Sequence, residues 1–209
     1  MMPRFRPWRL LVFVIFPAVL AAQSDDLLTR IWEGVQQAQK KYTSGCGTIT
    51  ETRTSSLLVK PMVLRGKFCA EGTKRFALEY FEPAPLRIRF NENYLNVTTG
   101  DKTEVMEVGS SVRRAQSYFS RENSIANLKK NFTITVQEDG GSYAMKLVPR
   151  SDAFRRRLNY LVVKLNKRDF LLQSLEVDGK SGVNSVFAID VSSVNPKIPA
   201  ETFEVYKPK

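Results

Sequence analysis

The chain has 209 residues, with 32 Lys or Arg against 21 Asp or Glu for a formal charge of +11, and it contains no His. The missing imidazole excludes Ser–His and Cys–His nucleophile pairs and His-based metal sites. No Walker loop, paired CxxC or Gly-rich phosphate loop occurs. The positive surplus fits anionic partners such as a membrane surface, acidic protein or nucleic acid, or simply a solvated basic surface.

Arg4, Arg6 and Arg9 precede an apolar run from Leu10 to Val19. That run is too short for a bilayer, which takes about 20 apolar residues, and matches a cleaved signal peptide over residues 1–22. Val19 and Ala21, or Leu20 and Ala22, supply the −3 and −1 positions, with Pro17 as a helix break before them. The competing reading is an uncleaved N-terminal anchor. The cleavage region has no Cys to carry a lipid, and nothing after Gln23 has the length and apolarity of a transmembrane helix. Losing the three arginines lowers the charge from +11 to +8. Export makes nucleic acid the least fitting partner. Residues 23–209 are expected to form a single soluble domain.

Ser24 is a candidate N-cap, and Asp25 and Asp26 put negative charge on the first turn of a helix. Leu28, Ile31, Val35, Ala38 and Tyr42 then recur at helical spacing as far as Ser44-Gly45. Such a stripe normally packs on a sheet. Cys46 and Cys69 are the only cysteines and fall in stretches read as neighbouring strands. An oxidising compartment permits a disulfide, and two buried free thiols fit equally well.

Beyond this point the period is two. Phe76/Leu78/Tyr80, Leu86/Ile88/Phe90, Leu95/Val97, Phe132/Ile134/Val136 and Tyr143/Met145/Leu147 alternate with polar or small residues. Leu161/Val163/Leu165, Leu171/Leu175/Val177, Phe187/Ile189/Val191 and Phe203/Val205 continue the scheme. Turn signals separate them at Pro83-Ala84-Pro85, Asn91-Glu92-Asn93, Gly100-Asp101, Asp139-Gly140-Gly141, Asp178-Gly179 and Asn195-Pro196. The pattern predicts an antiparallel meander with one dry face. Gln116 to Lys130 breaks the alternation and reads as one or two short helices, with Ile125 and Leu128 placed to cover an apolar surface. The expected fold is mainly β (α+β): a strongly curved sheet, or incomplete antiparallel barrel, with an N-terminal helix and a central helical lid on its concave side.

A catalytic constellation is hard to assemble, although carboxylates brought together from distant strands would not show in the pattern. Glu79 and Glu82 have odd spacing and fall on opposite strand faces, and Ser56 and Lys60 are not in an S-x-x-K frame. Binding is easier to argue, because a curved sheet capped by helices encloses an apolar volume. The 13 Phe, 7 Tyr and 2 Trp line such a volume or fill an ordinary core. Arg150, Arg155, Arg156 and Arg157 form the densest charge cluster after the leader, in a loop or bent strand start. It is either a solvated loop or a docking patch for acidic protein or phospholipid.

Laid out in this order, the chain resembles the periplasmic outer-membrane lipoprotein carrier family (LolA-type). The resemblance rests on the N-terminal helix leading into Tyr42, on Gly66-Lys-Phe68, on Arg75-Phe76-Ala-Leu-Glu-Tyr80-Phe-Glu-Pro83 and on Leu147-Val-Pro149. Its most specific piece is the tail Asn195-Pro-Lys-Ile-Pro199 followed by Phe203 and Pro208. The resemblance implies a carrier without cofactor or metal. It would act as a monomer that takes lipoprotein acyl chains from an inner-membrane releasing transporter, shields them across the periplasm and passes them to an outer-membrane acceptor. With the apolar strand faces turned inward, the cavity is expected to be lined by Leu64, Phe68, Phe76, Leu78, Tyr80, Leu86, Ile88, Phe90, Leu95, Val97, Ile125, Leu128 and Phe132. The family's lid-latching Arg aligns here with Gly72-Thr73, which leaves Arg75 as the latch candidate, and its Asp-Gly turn is Asn91-Glu92-Asn93. Other functions for the same fold are a scaffold or sensor that binds a protein, and a carrier of another amphiphile such as a glycolipid.

Overall fold

A computed structural model describes residues 17–109 and 124–206, with side chains from Asp25 onward except that of Ala153. Most of the expected signal peptide, and residues 116–123 of the expected central helical stretch, lie outside the described residues. Helix α1 (Pro17–Lys41) leads into strands β1 (Ser44–Ser55), β2 (Met62–Glu71), β3 (Arg75–Glu82), β4 (Leu86–Phe90), β5 (Tyr94–Thr99) and β6 (Lys102–Glu107). Helix α2 (Ile125–Asn131) opens the second half, followed by β7 (Phe132–Asp139) and β8 (Ser142–Pro149). A single turn of helix, α3 (Asp152–Arg155), precedes β9 (Leu158–Asn166), β10 (Leu172–Gly179) and β11 (Val183–Val194), and a 3-10 turn at Ala200–Phe203 follows.

The eleven strands form one antiparallel sheet in the order β6-β5-β4-β3-β2-β1-β11-β10-β9-β8-β7. Two meanders, β1–β6 and β7–β11, are joined where β1 pairs with β11. The ends β6 and β7 do not pair, so the barrel is incomplete, as expected.

Strand register assigns every side chain to one of two faces. Ile49 stands beside Gly66 and Ile189, Phe68 beside Leu78, Leu78 beside Ile88, and Ile88 beside Val97. The same face continues through Phe187, Leu175, Val163, Met145 and Val136. This is the inner face. The outer face carries Lys67, Glu79 and Arg87, which pair across β2, β3 and β4 at 3.3 and 3.1 Å. These pairs are exposed and add little stability. Gly66 sits where β2 bulges against β3, and a Cβ there would fall 2.5 Å from the Glu79 carbonyl oxygen and 3.0 Å from the Tyr80 ring. Only glycine lets the two strands close up at that bend.

The core has two parts. Helices α1 and α2 cover the β7–β9 side, where Leu28, Leu128, Phe132, Met145 and Leu147 are buried together. Lys129 Nζ ties α2 to Asp25 of α1 at 3.0 Å. The other part lies on β1–β4, where Ile49, Leu64, Leu78 and Tyr80 are buried with Phe187 and Ile189 beside them.

Several local expectations need correction. Residues 17–24 are already helical, so Ser24 lies inside α1 and is not its N-cap. Ala18 to Ala22 contains no residue that stops a helix. The helix ends at Lys41, and Ser44-Gly45 opens β1, because pairing with both β2 and β11 overrides the turn propensity of those residues. β6 is a strand the alternation does not announce: Val105 is its one half-buried residue, so no apolar stripe marks it. The basic loop contains α3, where the Asp152 carboxylate accepts a hydrogen bond from Arg155 at 2.6 Å.

Candidate ligand cavity

Among the described residues, α1 and α2 do not pack on the β1–β4 side of the inner face. A groove of about 560 Å³ lies there, floored by Leu78, Tyr80, Leu86 and Ile88 of β3–β4 and walled by Val177, Val183 and Phe187 of β10–β11. Its volume falls within the roughly 300–1,000 Å³ of small-molecule sites. Four of the residues expected in a cavity therefore line it. Leu64, Phe68 and Phe76 pack in the adjoining cluster, and Phe90 is buried. Leu95 and Val97 share the inner face through their pairing with Phe90 and Ile88. Ile125, Leu128 and Phe132 belong to the second core under α1 and α2.

The groove also holds a polar cluster that sequence reasoning misses. In β1, threonine occupies every even position from Thr48 to Thr54, which turns Ile49, Glu51 and Arg53 to the inner face. Glu51 is 2% exposed. Its Oε1 accepts hydrogen bonds from Arg53 Nε at 2.9 Å and Ser185 Oγ at 2.8 Å, and its Oε2 from the Tyr80 hydroxyl at 2.7 Å. Arg53 Nη2 also approaches Oε1 at 2.8 Å. Burial, followed by the hydrogen bond to Glu51, pushes the Tyr80 phenol well above its usual range. Tyr80, expected as an apolar liner, has two parts: its ring serves that role and its hydroxyl holds the carboxylate.

The remaining expected site residues are elsewhere. Cys46 and Cys69 face each other across β1 and β2 and form a disulfide with Cα atoms 4.1 Å apart. Arg75 pairs with Glu71, and its guanidinium lies 5.4 Å from the centre of the Phe203 ring. It therefore stands beside the C-terminal turn, on the face opposite the groove. Asn96 holds the tail further along, donating to the Tyr206 carbonyl oxygen and accepting from the Tyr206 amide. Arg150 donates to the Lys129 carbonyl oxygen, and Arg155, Arg156 and Arg157 are exposed. The Arg157 carbonyl oxygen accepts from the Lys180 amide in the β10–β11 turn. That turn adjoins the β1–β2 hairpin, since Ser55 pairs with Val183. The hairpin tip leaves Leu57 92% exposed and Val59 fully exposed. Basic and apolar side chains thus share one end of the sheet, the end at which Arg53 enters the groove.

No protein-family model matches the sequence, and no curated protein matches it either. Solved structures do match. An uncharacterized conserved protein from Thermus thermophilus superposes with a TM-score of 0.51 at 12% identity, over 86% of this chain and 94% of that one. The likeness is one of fold. A LolA superfamily protein from Nitrosomonas europaea matches at 0.44 and 13% identity, over 85% of this chain and 97% of that one. The Pseudomonas aeruginosa MucA/MucB complex matches at 0.48 and 10% identity, over 85% of this chain and 60% of that one. The expected architecture, an open curved sheet with an N-terminal and a central helix, is the one the chain adopts. Among the described residues, no helix is long and apolar enough to cross a membrane, and no group of His, Cys, Asp or Glu is placed to hold a metal ion.

Proposed function

We propose that this chain is an exported carrier of acyl amphiphiles that takes lipoprotein acyl chains from the inner membrane, shields them through the periplasm and delivers them to the outer membrane. It acts by binding, without catalysis. The observation that carries this reading is the groove: a mostly apolar lining on the inner face of a sheet that does not close. Each methylene moved from water into such a site gains about 0.8 kcal/mol, so ten gain about 8 kcal/mol before ordering costs. That is enough to hold a chain and still release it. Leu57, Val59 and the exposed arginines at the groove's end support exchange at an anionic lipid surface. The proposal includes removal of residues 1–22, which leaves the buried Leu28 and Ile31 of α1 in place.

The test is to purify the mature protein from its native periplasm and identify what travels with it by mass spectrometry. Acylated peptide supports lipoprotein transport, and free glycolipid points to a carrier of another amphiphile. A co-purifying protein with no lipid, from a chain that also fails to bind an acyl probe, refutes the carrier reading in favour of a scaffold.

A further inference from the structure

The carrier reading leaves one feature of the groove unexplained. Of the residues that line it, only Glu51 and Arg53 carry charge. An ion pair with one buried member is a weak source of stability, because desolvating the carboxylate offsets much of the attraction and apolar residues of the same volume often do as well. The fold alone does not call for this pair.

The two partners are placed very differently. The Glu51 side chain is 3% exposed and the Arg53 side chain 39%. Glu51 spends both oxygens on Arg53, Ser185 and Tyr80, so it has little acceptor capacity left to offer a ligand. Arg53 has five N–H donors and directs Nε and Nη2 at Glu51. Its Nη1 has no hydrogen-bond partner among the described residues. The groove therefore offers a ligand strong donors, held in a fixed orientation, and a screened carboxylate. That combination suits a planar or tetrahedral oxyanion and disfavours an ammonium group.

Position along β1 adds direction. From the hairpin inward, the inner-face residues run Arg53, Glu51, Ile49, paired with Met62, Leu64 and Gly66. Arg53 thus stands toward the hairpin, and Leu78, Ile88 and Phe187 provide apolar surface in the same groove.

We propose that Arg53, oriented by Glu51, Tyr80 and Ser185, docks the anionic head, carboxylate or phosphate, of an acyl amphiphile whose chain lies on the β3–β4 floor. This inference rests on the carrier reading and adds headgroup selection to it. Glu51 is a positioning residue; Arg53 touches the ligand.

The experiment compares cis-parinaric acid with its methyl ester by fluorescence titration at pH 8. The intact protein should bind the acid at least about tenfold more tightly, as expected for one charge-assisted hydrogen-bonding contact. Arg53→Met should bring the acid down to the ester's affinity, while Arg53→Lys keeps part of the preference. Should Arg53→Met strand Glu51 and fail to fold, the double variant Glu51→Met/Arg53→Met replaces the whole pair with apolar side chains and should show the same lost preference. Displacement of the bound acid by oleate and by lysophosphatidic acid then tells a carboxylate head from a phosphate head. Equal affinity for acid and ester in the intact protein, or a preference that survives in the folded variants, overturns the inference alone. Binding of neither probe overturns the carrier reading and this inference with it.

Discussion

Tyr80→Phe deletes one oxygen from the middle of the molecule. Tyr80 is 2% exposed, and its hydroxyl is the one donor to Glu51 Oε2 among the described residues, at 2.7 Å. The phenylalanine ring fills the same space, so the substitution tests the hydrogen bond and not the packing. Leaving a buried carboxylate oxygen without its donor costs about 1.5–3 kcal/mol. Ser185→Ala serves as the contrast. It removes one of several donors to Oε1, where Arg53 remains, and should cost about 1 kcal/mol. Urea titration of both variants, with unchanged slopes, measures the two losses. The phenol also makes a pH prediction. Because its folded pKa is raised, its contribution to stability is complete below the unfolded phenol value of about 10 and fades as pH rises beyond it. Tyr80→Phe should remove that alkaline component. A loss below about 0.5 kcal/mol, smaller than for Ser185→Ala, would refute the idea that Glu51 is desolvated and held by Tyr80.

Further predictions concern the frame around the groove. Replacing Cys46 and Cys69 together by Ala opens a loop with a sequence separation of 23, and by the chain-entropy relation should cost about 3 kcal/mol in denaturant titration under oxidising conditions. A smaller loss would mean that β1 and β2 stay associated in the unfolded chain. A Cβ at Gly34 of α1 would lie 2.2 Å from Cζ of Phe170. Gly34→Ala should therefore destabilise by about 1–3 kcal/mol despite a helix-propensity gain of about 1 kcal/mol, and adding Phe170→Ala should relieve the clash. The hydrogen bond from Lys164, and then its charge, hold the Asp139 carboxyl below its usual range. Such a group stabilises the fold above the ordinary carboxylate pKa and loses its contribution as pH falls through the depressed one. Carboxyl NMR titration should show the Asp139 midpoint rising in Lys164→Met.

The sheet is legible in the sequence because most of its inner face is apolar at period two, with glycine, proline and asparagine marking the turns. Where that signal fails, the sequence misleads. β6 is a mostly exposed edge strand with no apolar stripe. The start of α1 is easily misplaced because Ser24 and Asp25-Asp26 have the composition of a cap while sitting inside a helix that already includes residues 17–23. The groove's floor is visible as Leu78, Tyr80, Leu86 and Ile88. Its polar centre is passed over because charged residues are assigned to the wet face by habit. The signal is nonetheless present: the threonines at 48, 50, 52 and 54 mark β1 as a strand and put Glu51 and Arg53 on the same side as Ile49. That β10 and β11 bring Val177 and Ser185 to the same groove follows from the β1–β11 pairing, a long-range contact that no local pattern encodes.

The central claim is that the groove binds acyl chains, and a titration of the mature protein with a fluorescent fatty-acid probe tests it most directly, with Ile88→Glu as the control. Ile88 lies on the inner face beside Leu78 and lines the groove. The account predicts saturable binding to the intact protein and its loss in a folded Ile88→Glu variant, where an unpaired charge occupies the floor. No binding by the intact protein, or equal binding by both, would contradict it.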